Sequence, residues 1–474
     1  MSSTIKFGTD GWRAIIAEDF TFENVRRVAK STAAYFENHR PTQSQKRIVI
    51  GYDRRFLSAQ FASVVAEVIS ENGFEVLLAD RPTPTPAISY SVPKLSAAGG
   101  VMITASHNPP AFNGFKLKLS HGAPADSVVC KEVERLLPAT FLKTAATGDR
   151  QSIQCVNFMP DYLSTLKGFI DFRAVARSGL RVAHNAMFGV GAGVFDAVLG
   201  KTTCSVQTLN GRHDPLFGGI NPEPIPANYL STSRFLNRNP VDICLVTDGD
   251  ADRLGAMDGR GKPLTTHQII TLLLQHSIDS KKPGSKAVKA LTTTSMVDKI
   301  CAANNLTLVE TGVGFKYIAA EFLKGDVMIG FEESGGIGFP DHIPDRDGLL
   351  AGLVLLELLA KAKKPIGTLL SQLEKKYGPH RYARKDIHFP LELIPRLMDV
   401  LSRNPPGKLN RSAVAKVQSF DGVKLTAANG DWLMLRGSGT EPILRIYAES
   451  DSANGVERLI RSGQLLAAQI ARAC

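Results

Sequence analysis

Short apolar runs alternate with helix-periodic segments along most of this chain, and this alternation constrains the fold more than any other feature. Residues 47–52, 74–79 and 99–104 are typical of buried strands, and residues 61–69 form an apolar helix face that Ser58 is placed to cap. The pattern returns at residues 180–184 and 241–247, and again between residues 287 and 331. Strands that alternate with helices predict parallel α/β sheets, here in three consecutive units.

The C-terminal part has a different pattern. Short strands are predicted at residues 423–426, 432–435 and 443–448, followed by an amphipathic helix at residues 455–473, which is an α+β arrangement. A chain of 474 residues has room for three or four domains of roughly 150 residues. We therefore predict domains at residues 1–150, 151–258, 259–376 and 377–474.

Composition excludes several classes of protein. The net charge is +11, but there is no basic block of five residues and aromatic residues make up only 7 %, so we expect no nucleic-acid partner. No apolar stretch reaches the roughly 18 residues of a membrane helix, and the first nine residues lack a signal-peptide pattern. We expect a cytoplasmic protein without a membrane partner. The cysteines form no Cys-x-x-Cys pair, so neither a disulfide framework nor a zinc site is expected.

Three aspartates follow the predicted strand at residues 241–247 at alternate positions: Asp248, Asp250 and Asp252. Carboxylates in this spacing suit a hard cation. An EF-hand is excluded, because Arg253 replaces its required glycine and Gly259 its final glutamate. The remaining alternative is a solvated acidic turn. Three protein carboxylates favour one Mg²⁺ ion with a further anionic ligand, such as a phosphate.

Ser106 follows another predicted strand, in a loop at residues 104–110 that also contains His107. The loop lacks the Gly-x-Ser-x-Gly pattern of hydrolases, and the alternative is a serine that caps a turn. A turn predicted at residues 113–116 brings Lys116 towards the same loop. A phosphorylated Ser106 would supply the anionic ligand that the aspartates lack.

Two further loops are rich in polar residues. Residues 332–336 (Glu-Glu-Ser-Gly-Gly) follow a predicted strand, and residues 436–442 combine Arg436 with glycines and hydroxyls, the composition of a phosphate cradle. The second loop lacks the Gly-Lys-Ser/Thr ending of a Walker loop. Glycines at 189, 191 and 193 have the wrong spacing for dinucleotide binding.

Taken together, these loops resemble the signature segments of the α-D-phosphohexomutase family, and they occur in the family's order. The matching segments are residues 7–13, 104–110, 248–253, 332–336 and 436–442, with shorter matches at 221–224 and 311–316. The resemblance implies three tandem mixed α/β domains and a C-terminal α+β domain like the TATA-binding protein, around a central cleft.

The resemblance also implies residue roles. Ser106 is the phosphoserine and, with Asp248, Asp250 and Asp252, a ligand of Mg²⁺. The other implied catalytic residues are His107, Lys116, Arg13 and Arg253. The implied substrate-binding residues are Glu332, Ser334, Lys316, Arg436, Ser438, Gly439 and Thr440. Some members have a histidine where this chain has Gly336, and His342 is a candidate to replace it. His107 and Lys116 are the candidates for general acid and base.

The implied reaction interconverts hexose 1-phosphate and hexose 6-phosphate through a hexose 1,6-bisphosphate, in a monomer or homodimer. Glu332-Glu333-Ser334 resembles the loop of glucose-handling members, so glucose is the expected hexose, with mannose and glucosamine as alternatives. Two other classes remain open: a sugar-phosphate-binding regulator without catalysis, and a phosphatase in which water intercepts the phosphoserine.

Overall fold

A six-stranded mixed sheet is built from the apolar runs at the start of the chain. The computed structural model describes residues 5–140, 152–438 and 442–472. It comprises two compact units, Met1–Lys286 with Gly314–Gly367 and Ala287–Val313 with Thr368–Cys474. The strands of the first sheet are β1 (Trp12–Ile15), β2 (Gln45–Tyr52), β3 (Glu75–Ala79), β4 (Ala97–Ile103), β5 (Phe112–Leu119) and β6 (Ile153–Val156). Its helices are α1 (Phe22–His39), α2 (Ser58–Glu71), α3 (Thr85–Lys94) and α4 (Ser127–Arg135).

The strand order in this sheet is β1-β5-β4-β2-β3-β6. Strands β2, β3 and β4 are parallel, because α2 and α3 carry the chain back between them. Every residue of β4 is buried, which explains its unbroken apolar sequence.

Two local expectations about this sheet are wrong. The turn predicted at residues 113–116 is part of strand β5, which pairs antiparallel with β4 and sets Lys116 opposite Met102. Ser58 is not the cap of α2: Leu57 precedes the helix with φ of 60°, and Ser58 Oγ instead donates to Asp53 Oδ1 at 2.7 Å.

The second sheet has the order β11-β10-β9-β7-β8. Its strands are β7 (Arg181–Asn185), β8 (Ser205–Leu209), β9 (Ile243–Thr247), β10 (Leu254–Asp258) and β11 (Pro263–Leu264). The helices of this part are α5 (Met159–Phe169), α6 (Phe172–Ala176), α7 (Val194–Leu199), α8 (Leu230–Arg238) and α9 (Thr266–Asp279). Strand β9 is fully buried and pairs antiparallel with β10, so the chain reverses through the aspartate loop between them.

The third α/β segment contributes to both compact units. Its strands are β12 (Lys286–Ala290), β13 (Thr307–Thr311), β14 (Val327–Phe331) and β15 (Ile337–Gly338), and its helices are α10 (Met296–Ala303), α11 (Phe315–Leu323), α12 (Gly348–Ala362) and α13 (Ile366–Tyr377). Strands β14 and β15 pair antiparallel around residues 332–336. Asp347 caps α12 by accepting from the backbone N–H groups of Leu349 and Leu350.

The second unit is centred on an antiparallel sheet of order β16-β21-β20-β19-β18-β17. The strands are β16 (Arg381–His388), β17 (Lys408–Leu409), β18 (Ser412–Gln418), β19 (Val423–Ala427), β20 (Trp432–Gly437) and β21 (Ile443–Ser450), with helices α14 (Ile394–Arg403) and α15 (Ala453–Arg472). Leu433, Leu435, Leu444, Ile446 and Leu459 lie in its core. Mixed α/β domains followed by a C-terminal α+β domain are confirmed, whereas the predicted domain boundaries stay predictions.

Two expectations from composition can be compared with the described residues. No helix in these ranges is long and apolar enough to cross a membrane. The cysteines that fall within them are all free: Cys130, Cys155, Cys204, Cys244 and Cys301. The sixth, Cys474, lies outside the described residues.

Candidate active site

Three polar loops of the first unit begin where buried strands end. Ser106 follows β4, Asp248 follows β9, and Glu332 follows β14. Ligands of parallel sheets commonly bind beyond the carboxyl ends of strands. The loops also contact one another: Leu254 N, at the end of the aspartate loop, donates to Gly335 O at 3.0 Å. One cluster of side chains in the first unit therefore contains most of the residues singled out from the sequence.

Ser106 lies against the aspartate loop. Its Oγ donates to Asp248 Oδ2 at 2.8 Å, and the side chain is completely buried. Ser106 has φ of 53°, in the left-handed region, which for a residue with a Cβ costs roughly 1–3 kcal/mol and persists only where neighbours fix it. A Cβ on Gly249 would lie 2.5 Å from Ser106 O, so this approach of the two loops requires a glycine.

The aspartate triad fits a divalent cation. Asp248, Asp250 and Asp252 are buried, and one carboxylate oxygen from each lies within 4.8 Å of the others. Within the described ranges, Asp250 Oδ1 and Asp252 Oδ1 are buried and have no hydrogen-bond partner. Buried carboxylate oxygens without donors are costly, and a hard cation satisfies them.

Lys116 is the central cation of the cluster. Its Nζ lies 2.8 Å from Asp250 Oδ2, 2.9 Å from Asp252 Oδ2 and 2.9 Å from Asp10 Oδ2. Burial lowers the pKa of Lys116, but Asp10, Asp250 and Asp252 outweigh it, so the pKa rises above its ordinary value. These carboxylates therefore favour the charged form of Lys116.

Arg346, which sequence analysis missed, connects the loop at residues 332–336 to this cluster. It lies 3.0 Å from Glu332 Oε1 and 2.9 Å from Asp252 Oδ2, and it also donates to Asp10 Oδ2. Ser334 Oγ donates to the same Glu332 oxygen at 2.7 Å. Asp10 belongs to the matched segment 7–13 and could have been suspected, whereas a lone arginine between two aspartates at 345 and 347 gave no signal.

The pKa values of the three aspartates are shifted in different directions. Burial raises the pKa of Asp248 well above its ordinary value, and Asp252 and Asp250 raise it further. Burial also acts on Asp252, but the charges of Arg346, Lys116 and Arg253 overcome it and lower the pKa. The pKa of Asp250 is lowered as well, because Lys116 and a hydrogen bond from Thr85 outweigh burial and Asp252. The surroundings thus favour the anionic form of Asp250 and Asp252 and disfavour that of Asp248.

His107, Arg13 and Arg253 lie around Ser106. Arg13 donates to Asn108 Oδ1 at 2.7 Å, and Arg253 N donates to Asp248 Oδ1 at 3.1 Å. Burial, followed by the charges of Arg253 and Arg13, lowers the pKa of His107 well below its ordinary value. His107 is therefore a neutral imidazole at neutral pH, and its buried Nδ1 has no hydrogen-bond partner among the residues described.

His342 does not take the place of a histidine at Gly336. Its Nε2 lies 2.9 Å from Asp347 Oδ2, and its ring packs near Tyr90 and Tyr162 in the cap of α12. A Cβ on Gly336 would lie 2.8 Å from both Arg346 Cδ and Glu332 Oε1. Arg346 thus occupies the space that a side chain at Gly336 would need, and the suggestion of His342 is wrong.

The remaining predicted residues have other contacts. Lys316 Nζ donates to Ser127 Oγ at 2.8 Å, at the start of α4. Arg436 and Ser438 belong to the second unit, where Arg436 Nε donates to Asp421 Oδ1 at 2.9 Å and Ser438 N donates to Ile443 O. Gly439 and Thr440 lie outside the described residues.

Comparisons with known proteins agree along the whole chain. Sequence profiles of the phosphoglucomutase/phosphomannomutase family match at residues 4–142 (α/β/α domain I), 160–261 (domain II), 265–377 (domain III) and 402–462 (C-terminal domain). A phosphoglucosamine/phosphogalactosamine mutase of Sulfurisphaera tokodaii is 30 % identical over 460 residues, 96 % of this chain and 97 % of the relative.

Two further similarities extend this result. A phosphoglucomutase/phosphomannomutase of Thermococcus kodakarensis is 26 % identical over 96 % of this chain and 97 % of its own. Among solved structures, a Thermus thermophilus protein provisionally assigned as a phosphomannomutase superposes with a TM-score of 0.86 at 33 % identity. That superposition covers 98 % of this chain and 99 % of the other.

Proposed function

The chain belongs to the phosphoglucomutase/phosphomannomutase family and is an intramolecular phosphotransferase, and we propose that it interconverts hexose 1-phosphate and hexose 6-phosphate, with glucose as the hexose. The observation that carries the proposal is the contact of Ser106 Oγ with Asp248 inside the buried triad of aspartates. In this contact the hydroxyl that would carry the phosphoryl group lies beside the carboxylates that would bind the metal ion.

The reaction has two balanced transfers. In the first, the bond between Ser106 Oγ and phosphorus breaks as a sugar hydroxyl oxygen bonds to phosphorus, which gives the hexose 1,6-bisphosphate and a free serine. In the second, Ser106 Oγ bonds to the other phosphorus as the bond from that phosphorus to its sugar oxygen breaks. The serine proton passes to this sugar oxygen, and the hexose monophosphate leaves. Lys116, Arg13 and Arg253 supply fixed positive charge around these transfers, which depend mainly on positioning and charge stabilisation.

Asp248, Asp250 and Asp252 would hold Mg²⁺ together with an oxygen of the phosphorylated Ser106. When bound, the ion would neutralise negative charge on the phosphoryl group. The unpartnered oxygens of Asp250 and Asp252 support this assignment.

The proton of the attacking sugar hydroxyl needs an acceptor. Lys116 is unsuitable, because its carboxylate partners keep it charged. His107 is neutral and next to Ser106 in sequence, and its lowered pKa keeps the imidazole available. We assign proton transfer at the Ser106 end of the site to His107.

The charge around Glu332, in the loop at residues 332–336, supports glucose over glucosamine as the substrate. Glu332 Oε1 already accepts from Ser334 and pairs with Arg346, so its negative charge is compensated. An ammonium group on the sugar therefore gains little from Glu332. The Sulfurisphaera relative is named for amino sugars, so a preference for glucosamine phosphate is the second candidate.

The phosphoserine is tested with Ser106→Ala, and Ser63→Ala, at an exposed position of α2, is the matched control. Peptide mapping of the wild-type protein should find phosphate on Ser106, and only the Ser106 variant should lose turnover. Wild-type isomerisation by Ser106→Ala would refute the mechanism. Binding without isomerisation in the wild-type protein would indicate a regulator, and release of free phosphate in place of isomerisation would indicate a phosphatase.

The sugar is tested by parallel kinetics on glucose, mannose and glucosamine 1-phosphates. We expect kcat/KM for glucose to exceed that for glucosamine by roughly tenfold to a hundredfold, since a lost hydrogen bond in a polar site costs about 1–3 kcal/mol. Mannose differs only in the orientation of one hydroxyl, so a smaller difference is expected. A preference for glucosamine would overturn the glucose assignment and leave the mutase reaction intact.

A further inference from the structure

Arg55 is a buried arginine that donates hydrogen bonds to the main chain of the Ser106 loop. Its NH2 group donates to Ser106 O and Asn108 O, both at 2.7 Å. Its NH1 group donates to Pro109 O at 2.8 Å and Phe112 O at 3.0 Å. The side chain has no exposure to solvent. Both terminal nitrogens of one guanidinium are thus directed at carbonyls within a single seven-residue segment.

Asp53 holds the other side of the same loop. Its Oδ2 lies 3.2 Å from Arg55 Nε and accepts from Thr104 Oγ1 at 2.6 Å. Thr104 Oγ1 in turn accepts from Ser106 N at 2.9 Å. Asp53 also accepts from Ser58 Oγ and from Arg55 N, which fixes its own orientation.

These contacts follow from the register of the sheet. Strands β2 and β4 are adjacent and parallel, with Tyr52 opposite Ile103. The residues directly after each strand therefore emerge side by side, Asp53 beside Thr104. Asp53 and Arg55 are buried and take no part in the proposed transfer. Arg55 contacts the main chain of the loop, and Asp53 contacts the loop through Thr104 Oγ1.

We infer that Arg55, together with Asp53 and Thr104, is a positioning residue that holds Ser106 in its left-handed conformation and directs Oγ at the aspartate triad. The inference rests on the proposed role of Ser106. The amide N–H of Ser106 is fixed by Thr104, and its carbonyl by Arg55. With both ends held, the Cα–Cβ bond of Ser106 has one direction, towards Asp248.

Phosphoryl transfer is sensitive to such placement, since a misplacement of about 1 Å can cost roughly a hundredfold in rate. Lysine at position 55 keeps the charge, but a single ammonium group cannot reproduce the planar fork that reaches four carbonyls. Arg54 is the matched control, because it is the adjacent arginine and donates to Gly211 O at 2.8 Å, outside the loop.

The experiment compares Arg55→Lys, Thr104→Val, Thr104→Ser and Arg54→Lys. The rate of phosphoryl transfer from phosphorylated enzyme to glucose 1-phosphate is measured by rapid quench, per mole of phosphoserine, so that only folded and loaded enzyme is counted. KM and the Mg²⁺ concentration for half-maximal activity are measured in parallel.

For Arg55→Lys and Thr104→Val we expect the transfer rate to fall roughly thirtyfold to a hundredfold, with KM and the Mg²⁺ requirement within about threefold of wild type. Thr104→Ser, which restores the hydroxyl, should recover most of the rate, and Arg54→Lys should match wild type. A purely structural role would lower the yield of folded enzyme and leave this rate unchanged.

Wild-type transfer rates in both Arg55→Lys and Thr104→Val would overturn the inference. If Arg55→Lys does not fold, the inference is tested by comparing the transfer rates of Thr104→Val and Thr104→Ser. Equal rates in these two variants would also overturn the inference. Failure of the proposed function is a separate result, because it would appear as unimpaired isomerisation by Ser106→Ala.

Discussion

The Lys116→Met variant removes one buried cation from among three carboxylates. Lys116 Nζ lies within 2.9 Å of Asp10, Asp250 and Asp252, and its side chain is 1 % exposed. Removing one partner of a buried ion pair typically lowers the free energy of unfolding by about 3–5 kcal/mol, because the remaining charge loses its compensation. We expect a loss of this size in chelator, even though Arg346 still pairs with Asp10 and Asp252.

The loss should depend on pH in a defined direction. Although burial raises the pKa of Asp10 and Asp250, Lys116 helps to hold both below their ordinary values in the folded protein. A carboxyl with a lowered folded pKa stabilises the protein above its unfolded pKa of about 3.9, and this contribution is lost as the pH falls through the folded pKa. The variant lacks that contribution, so its deficit should be largest at neutral pH and should shrink on acidification.

The stability loss of Lys116→Met should also depend on whether Mg²⁺ is bound. An ion at a hundred times its Kd stabilises the folded state by about 2.7 kcal/mol. It also supplies positive charge to Asp250 and Asp252, so the deficit of Lys116→Met should be smaller in Mg²⁺ than in chelator. Hydrogen exchange of β4 and β5 peptides across a guanidinium titration measures the free energy of the first unit alone.

Lys46→Met is the matched control, because Lys46 pairs with Glu37 at 2.6 Å on the surface, with side chains 37 % and 48 % exposed. Its loss should stay below about 1 kcal/mol and should not respond to Mg²⁺. A Lys116→Met deficit below about 1 kcal/mol in chelator, or one that is identical with and without Mg²⁺, would refute the argument.

Three other outcomes are expected. Chelation of divalent cations should abolish turnover, and added Mg²⁺ should restore it. Asp250→Asn should raise the Mg²⁺ concentration needed for half-maximal activity. An enzyme that is indifferent to chelator would show that the aspartate triad is structural. Arg436→Ala should weaken binding of glucose 1-phosphate and glucose 6-phosphate alike by about 1.5–3 kcal/mol, and a loss confined to one substrate in the kinetics would contradict a shared phosphate anchor. Burial, followed by the charge of Lys289, lowers the pKa of Lys424 from 10.5 to about 8. Between these two pKa values the unfolded chain binds more protons than the folded protein. The free energy of unfolding of the second unit should therefore rise by up to about 3 kcal/mol from pH 7 to pH 10, relative to that of Lys424→Met. Parallel pH profiles of the two proteins would exclude this effect.

The residues that could be predicted from the sequence share one property: their signal is local. Ser106, the three aspartates and Glu332 each follow an apolar run directly, so strand and polar loop are both visible in a short window. The order of the α/β units and the α+β end of the chain came from the same kind of pattern. The phosphate loop at residues 436–442 was also visible in this way, although its residues 439–441 lie outside the structure's described ranges.

Asp10, Arg55 and Arg346 could not be assigned roles in this way. Arg346 meets Asp10 across 336 positions of sequence, and Arg55 meets the Ser106 loop across about fifty. A single charged residue in a loop has no periodicity or spacing of its own. Lys116 was predicted to lie near the site because of a turn. It does lie there, but the pairing of β5 with β4 is what places it.

The sequence by itself determined which chemical groups this protein brings to its site: one serine, three evenly spaced aspartates and several basic residues. Only the tertiary structure decided how those groups differ. Asp248, Asp250 and Asp252 are equivalent in type and spacing, yet the pKa of Asp248 is raised while those of the other two are lowered. The physical reason is that all three are desolvated, but Lys116 reaches only Asp250 and Asp252, and Arg346 pairs with Asp252, each from a distant segment.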